Sequence, residues 1–132
     1  MTGKREAFEY AVLRVMPRVD RGEAINAGVV VYCRPLDYLG SRIHLDEARL
    51  RALDPTADPR VIDLALRAAA DVCAANGDAG PAGREDIGRR FRWLTAPRST
   101  VVQPGPIHTG LTCDPDAEAD RLLRVLVLSV EE

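Results

Sequence analysis

Apolar positions along the chain change their spacing several times, and each change marks an expected element. Phe8 to Met16 is rich in aromatic and β-branched residues and stops at Pro17, which predicts a strand. Pro17 to Glu23, with Asp20 and Gly22, carries turn chemistry, and the strongly apolar run from Ala24 to Cys33 follows as a second strand. The pair predicts an antiparallel hairpin with a long, charged loop. Pro35 to Gly40 reads as a further turn and Ser41 to Leu45 as a short third strand.

Helical spacing then takes over. Asp46 is placed to cap a short helix reaching about Leu53, with Leu45 and Leu50 at the two positions of a hydrophobic staple. Asp58-Pro59 offers a cap with proline at the first helical position, and Ile62, Ala65, Leu66, Ala69, Val72 and Cys73 recur at helical spacing up to Asn76-Gly77. Asp78 to Gly83 reads as a loop with nothing to pack, and Arg84 to Ser99 as one helical turn leading into an extended piece. Thr100 to Gln103 and Ile107 to Thr112 flank Pro104-Gly105-Pro106, which predicts a final, irregular or edge hairpin. Asp114-Pro115 repeats the cap-plus-proline signature, and Leu122, Leu123, Leu126, Val127 and Val130 form a closing helical stripe in which Asp120 and Arg124 make an i,i+4 pair. A strand over Arg124 to Val130 competes with that helix, because valine and leucine alternate there.

Strands first, helices in the middle, then extended pieces and a C-terminal helix predict an α+β fold: an antiparallel sheet that begins with a β-hairpin, with helices packed on one face. The first two strands are too closely linked for the crossover of a doubly wound fold. The 132 residues, 1–132, read as a single domain without internal repeats, long enough to bury a core without disulfide or metal staples.

Composition narrows the function classes. The chain is 46% hydrophobic and 29% charged, with a formal net charge of −2, so affinity for nucleic acid would need a local basic patch. Lys4 is the only lysine against many arginines, and alanine is abundant, a usage expected of a GC-rich bacterium. Cys33, Cys73 and Cys113 are odd in number and widely spaced, which fits reduced thiols. Met1 to Glu9 has no apolar run suited to a signal peptide, and the most apolar segment is too short to cross a bilayer. A cytoplasmic protein with no membrane contact is the expectation.

Polar chemistry gathers at the mouth of the second strand, in Arg21-Gly22-Glu23-Ala24-Ile25-Asn26-Ala27-Gly28. Strand alternation puts Asn26, Gly28, Val30 and Tyr32 on one face and Ile25, Ala27, Val29, Val31 and Cys33 on the other, core face. If Arg14 pairs with Asn26, Gly28 falls opposite Val12. A shallow notch would then open above Gly28, walled by Arg14 and Asn26 and closed by Arg21 and Glu23. An arginine, a carboxylate and an amide together recognise a carboxylate, a phosphate or a peptide backbone. The competing, favoured reading is structural: Gly22 supplies positive φ, Glu23 pairs with Arg21 or Arg14, Asn26 satisfies loose backbone groups, and Gly28 marks a bulge.

Secondary candidates are weaker. Arg84, Arg89, Arg90, Arg92 and Arg98 interleave with Phe91 and Trp93, a pattern that could hold single-stranded nucleic acid by stacking on Trp93. The acidic total argues instead for a solvated helix face with both aromatics tucked into the core, and against a nucleic-acid partner. His108 could act as a general base beside Ser99, Thr100 or Thr109, but no nucleophile motif supports it. No ligand spacing for zinc occurs among the three cysteines and two histidines, so neither metal nor cofactor is expected. Cys33 and Cys73 fit apolar faces, and Cys113 precedes a helix cap that could stabilise its thiolate.

Tyr10-Ala11-Val12-Leu13-Arg14, the Arg21-Gly22-Glu23-x-x-Asn26-x-Gly28-Val29-Val30-Val31 core, and Phe91-x-Trp93-Leu94 ahead of Ser99-Thr100 and Gln103-Pro104 resemble the bacterial family known as domain of unknown function 3037. The similarity spans nearly the whole chain. It implies no activity, but it does imply a context beside HipA-like kinases and hence an accessory role. The chain itself lacks a Gly-rich phosphate loop and a catalytic Asp/Asn motif, so it is not expected to be such a kinase. The leading expectation is a protein-binding or accessory module, possible partner of a HipA-like kinase, that touches its partner through Arg14, Arg21, Glu23, Asn26 and Gly28. The alternative is a small enzyme or nucleic-acid-processing protein using that cluster with Arg92 and Trp93. A homodimer through the sheet edge is a further candidate assembly.

Overall fold

A computed structural model describes residues 3–75 and 80–128. The chain begins as the pattern predicts, with β1 (Glu6–Val15) and β2 (Ile25–Cys33) forming an antiparallel hairpin. β3 (Tyr38–Ile43) starts three residues earlier than the sequence suggests. A short 3₁₀ turn at Arg34–Leu36 ends on Asp37 in the left-handed conformation, which reverses the chain directly into β3. α1 (Glu47–Leu53), α2 (Pro59–Ala74), α3 (Ile87–Thr95), β4 (Val102–Pro104), β5 (His108–Thr112) and α4 (Pro115–Leu126) complete the described elements. The fold is α+β.

Aspartates start all four described helices. Asp46, Asp58, Asp86 and Asp114 each accept a hydrogen bond from a first-turn amide, those of Arg49, Arg60, Arg89 and Ala117. Asp86 corrects the reading of Arg84 to Ser99. With its cap in place, Ile87 to Thr95 forms a full nine-residue helix, because Phe91, Leu94 and Thr95 share a buried side. The loop ahead of it lies partly outside the described residues. Its visible end, Pro81–Arg84, is a 3₁₀ turn with Gly83 buried and Ala82 packed on the core, so that part does have something to pack.

The sheet runs β3-β2-β1-β4, with β5 also on β1. The expected hairpin around Pro104-Gly105-Pro106 is not formed. β4 pairs with Leu13, Arg14 and Val15, and β5 pairs with Glu6 to Tyr10, so both lie along the same edge of β1. The Gly105 amide donates to Val12 O at 2.7 Å between them. The two prolines interrupt what is in effect one edge strand, and the long strand β1 outcompetes a local turn.

Both faces of the sheet are covered. α1, α2 and α3 share one face, where Leu50, Ile62, Leu66, Phe91 and Leu94 pack on Leu13, Val15, Val30 and Tyr32. α4 lies on the other, with Ala119 and Leu122 against Phe8, Val29, Val31 and Cys33. β2 therefore has no solvent face, which corrects the expectation that only one side of it is core. The closing helix ends at Leu126, and helical geometry through Arg124–Leu126 removes the strand alternative. Val130 lies outside the described residues. Asp120 is bonded to Arg42 of β3 at 2.7 Å rather than to Arg124, because α4 crosses that strand.

Candidate functional site

The polar mouth of β2 is arranged by a bulge. Arg14 pairs with Asn26, as expected, but Leu13 pairs with Gly28, so Ala27 is the extra residue and Gly28 does not sit opposite Val12. The bulge reverses strand alternation. Ile25 and Ala27 join Val30 and Tyr32 on the three-helix face, while Val29, Val31 and Cys33 turn toward α4.

Each candidate side chain has a partner within the fold or a steric duty there. The Asn26 amide donates to the backbone carbonyl of Leu126 at 2.9 Å, satisfying the last turn of α4. Arg14 lies across Gly105, where a Cβ would come within 2.9 Å of Nη2. Arg21 and Glu23 form an exposed ion pair at 2.7 Å in the loop. Gly22 between them has φ of 70° with no atom near its missing side chain, so its role is conformational. At Gly28 a Cβ would stand 2.8 Å from Arg42 O and 3.2 Å from Ile43 Cγ2; the room it leaves is taken by β3.

Four arginines of the second candidate segment, Arg89, Arg90, Arg92 and Arg98, are also engaged. Arg92 makes a two-pronged pair with Glu9 at 3.0 and 3.1 Å and lies over the Phe91 ring. Arg89 faces Glu85 and Asp86 at 3.7 and 3.9 Å. Arg90 donates to the carbonyls of Glu85 and Cys73, the latter in the last turn of α2. Arg98 stacks on the Trp93 ring at 4.7 Å and donates to the Trp93 carbonyl.

Phe91 is fully buried, whereas Trp93 is 46% exposed, which corrects the expectation that both aromatics enter the core. Two residues along a helix is about 200° of rotation, so the two rings must point to opposite sides. Trp93 and Arg98 wall a groove of about 360 Å³ floored by Ala65, Ala68 and Ala69 of α2, with Val101 and Val102 closing it. Sequence reasoning missed this groove. Its signal is present in α2, where Val61, Leu64, Ala65 and Ala68 form an apolar stripe beside the buried one.

The remaining candidates are dispersed. His108 is exposed on β5, its ring 5.3 Å from Tyr10. The hydroxyl of Thr100 donates to Val102 O, and His44 is tied through its backbone amide to Ala27 O. Burial pushes the Cys73 thiol up to about 11, and it raises Cys33 as well, so both stay protonated at neutral pH. Among the described residues no group of three or more His, Cys, Asp or Glu is placed to hold a metal, and no helix is long and apolar enough to cross a membrane.

A second long-range cluster joins β3 to α4. Arg42 bonds Asp120 at 2.7 Å and Asp116 at 2.8 Å, and Tyr38 donates to Asp116 at 3.0 Å. Partial burial alone would pull Arg42 down, but the two carboxylates outweigh it and hold its pKa above the usual arginine value. The hydrogen bonds from Arg42 and Tyr38 keep Asp116 below the usual carboxylate value.

A family model described as protein of unknown function (DUF3037) matches residues 10–127. No curated protein and no solved structure matches the chain.

Proposed function

The chain belongs to this family of unknown function, and we propose that it is a small protein-binding, accessory module whose contact surface is the groove between α2 and Trp93. One observation carries the reading. A tryptophan left 46% exposed stands over a floor of three alanines, which is the shape that receives an apolar anchor from another protein. The floor of the groove and its tryptophan belong to helices α2 and α3, while Arg98, Thr100 and Val101 of the following loop close one side. Trp93 is held by the Arg98 guanidinium on its face, so its orientation is set before a partner arrives.

The polar hairpin supports binding less well. Asn26 and Arg14 serve internal contacts, leaving the Arg21–Glu23 pair as the accessible remainder. A nucleic-acid role for the arginine segment is also less well supported, because Arg89, Arg90, Arg92 and Arg98 are engaged by carboxylates or carbonyls. The partner put forward for testing is a HipA-like kinase, which rests on family resemblance, and the cytoplasm is the compartment proposed for the pair.

The test is capture of partners from nuclease-treated host lysate by the tagged protein, read by mass spectrometry. Wild type and Glu23→Ala are expected to capture the same protein, and Trp93→Ala and Ala68→Glu to lose it at unchanged melting temperature. Equal capture by Trp93→Ala, or a dependence on Glu23 instead, would overturn the assignment of the groove.

A further inference from the structure

α2 carries two apolar stripes. Ile62, Leu66, Val72 and Cys73 face the core, and Val61, Leu64, Ala65 and Ala68 form a second row at i, i+3, i+4 and i+7 on the outside. Val61 is 62% exposed and Leu64 is 68% exposed. A helix needs only the first stripe to join the fold, so the second is surplus to folding.

The order of residues along that second stripe is informative. Read from the N-terminus it runs large, large, small, small: Val61, Leu64, Ala65, Ala68. Reversed, it runs small, small, large, large. Two such helices laid antiparallel would set Val61 against Ala68 of the other copy and Leu64 against its Ala65, a knob over a gap at each level. Beside the stripe stands a charged row, Arg60, Asp63, Arg67 and Asp71, which alternates plus, minus, plus, minus. Reversal turns that row into minus, plus, minus, plus. Under one two-fold axis near Leu64 and Ala65, Arg60 meets Asp71, Asp63 meets Arg67, and the two remaining pairs follow by symmetry. A parallel arrangement would set the stripe against itself, Leu64 on Leu64 and Ala65 on Ala65, and would carry the two charged rows to opposite flanks, where they could not pair. Within one chain Asp63 and Arg67 are already bonded at 2.7 Å, so they are held on the flank where the second copy would arrive.

We propose that a second copy of this chain docks on the outer stripe of α2, antiparallel about a two-fold axis near Leu64 and Ala65. This rests on reading the α2 and α3 face as a protein-binding surface, and it names the occupant of the α2 part. Ala65 and Ala68 belong to both surfaces, so the second copy would cover that part of the groove floor and leave Ala69, Trp93 and Arg98 on its flank, on the side away from the charged row.

Sedimentation equilibrium of the intact chain up to about 100 µM reads the assembly, since interfaces of ordinary size associate within that range. Wild type is expected to dimerise, and Leu64→Glu to weaken the dimer by at least about tenfold by setting a carboxylate in its centre. Leu64 is mostly exposed in the single chain, so Leu64→Glu should fold, which a circular dichroism melt checks. Arg67→Asp should weaken the dimer, and the double change Asp63→Arg with Arg67→Asp should recover it. A monomeric wild type, or a dimer indifferent to Leu64→Glu, overturns the proposal. A monomer that still captures a different protein through Trp93 would overturn only the self-association; a dimer without captured partners would leave the helix pair standing and remove the heterologous role.

Discussion

On one face of the sheet Phe91, Leu50 and Leu66 are completely buried against Val15, Val30 and Tyr32, while on the other face α4 is held by a smaller apolar cluster together with polar ties. Asn26 fixes the C-terminal end of α4 through Leu126 O, and Arg42 with Tyr38 fixes its first half through Asp116 and Asp120. The three-helix face is a close-packed interior, which resists changes of pH and salt and does not tolerate lost volume. The α4 face buries fewer apolar side chains and depends on charge. The difference teaches where change is tolerated: core-side substitutions should cost global stability, and α4-side ones should change how the protein responds to acid.

The largest expected effect comes from Phe91→Ala. Its ring stacks on Tyr32 at a centroid distance of 5.1 Å and has no exposure, so truncation should cost about 3–5 kcal/mol, the range for deleting a buried aromatic. Equilibrium unfolding in urea measures it. A loss under about 1 kcal/mol would mean that α3 is not part of the main core and would erase the contrast between the faces.

Arg42→Met should have a smaller effect with a distinctive pH profile. The methionine keeps much of the apolar stem and removes both carboxylate contacts, so the loss near neutrality should be on the order of 1 kcal/mol after solvent screening. The Asp116 carboxyl is held below the ordinary aspartate value, chiefly by its hydrogen bond from Arg42. A group with a lowered folded-state pKa contributes stability above its unfolded value and loses it as the pH falls through the folded one. The gap between wild type and Arg42→Met should therefore be constant from about pH 5 to pH 8 and close below about 3.8, as melts across that range would show. A gap that persists in acid would assign the effect to lost packing instead.

Much of this division could be read from residue order, and the rest fails for physical reasons. Asp46, Asp58 and Asp114 announced their helices, two of them with proline behind, because capping is local chemistry. Asp86 caps α3 in the same way, but it stands in a run of charges where only the tertiary burial of Phe91 and Leu94 reveals a helix. The pairing of Arg14 with Asn26 was legible from loop length. A bulge at Gly28 was legible as well, but not its effect on the faces of β2, because a strand buried on both sides loses the alternation that would reveal Ile25 and Ala27 turning to the side of Val30. β4 and β5 follow the same logic: Pro104-Gly105-Pro106 has local turn chemistry, and only the free edge of β1 explains why neither strand pairs with the other. The groove beside Trp93 was half legible, since the outer stripe of α2 is visible in sequence while its juxtaposition with α3 depends on the fold.

The smallest expected effect tests what belongs to neither face. Arg21 and Glu23 face each other in the β1–β2 loop with both side chains about half exposed, and Gly22 between them already supplies the backbone turn. An exposed pair of this kind contributes little, because water screens the attraction and both side chains lose freedom in forming it. Glu23→Ala should change stability by no more than about 0.5 kcal/mol, and thermal melts at low and moderate salt should overlay those of wild type. If Glu23→Ala instead lowers stability by more than about 2 kcal/mol, the loop is a structural anchor of the hairpin. The boundary between the two faces would then extend through the loop, and the polar mouth of β2 would be explained entirely by folding.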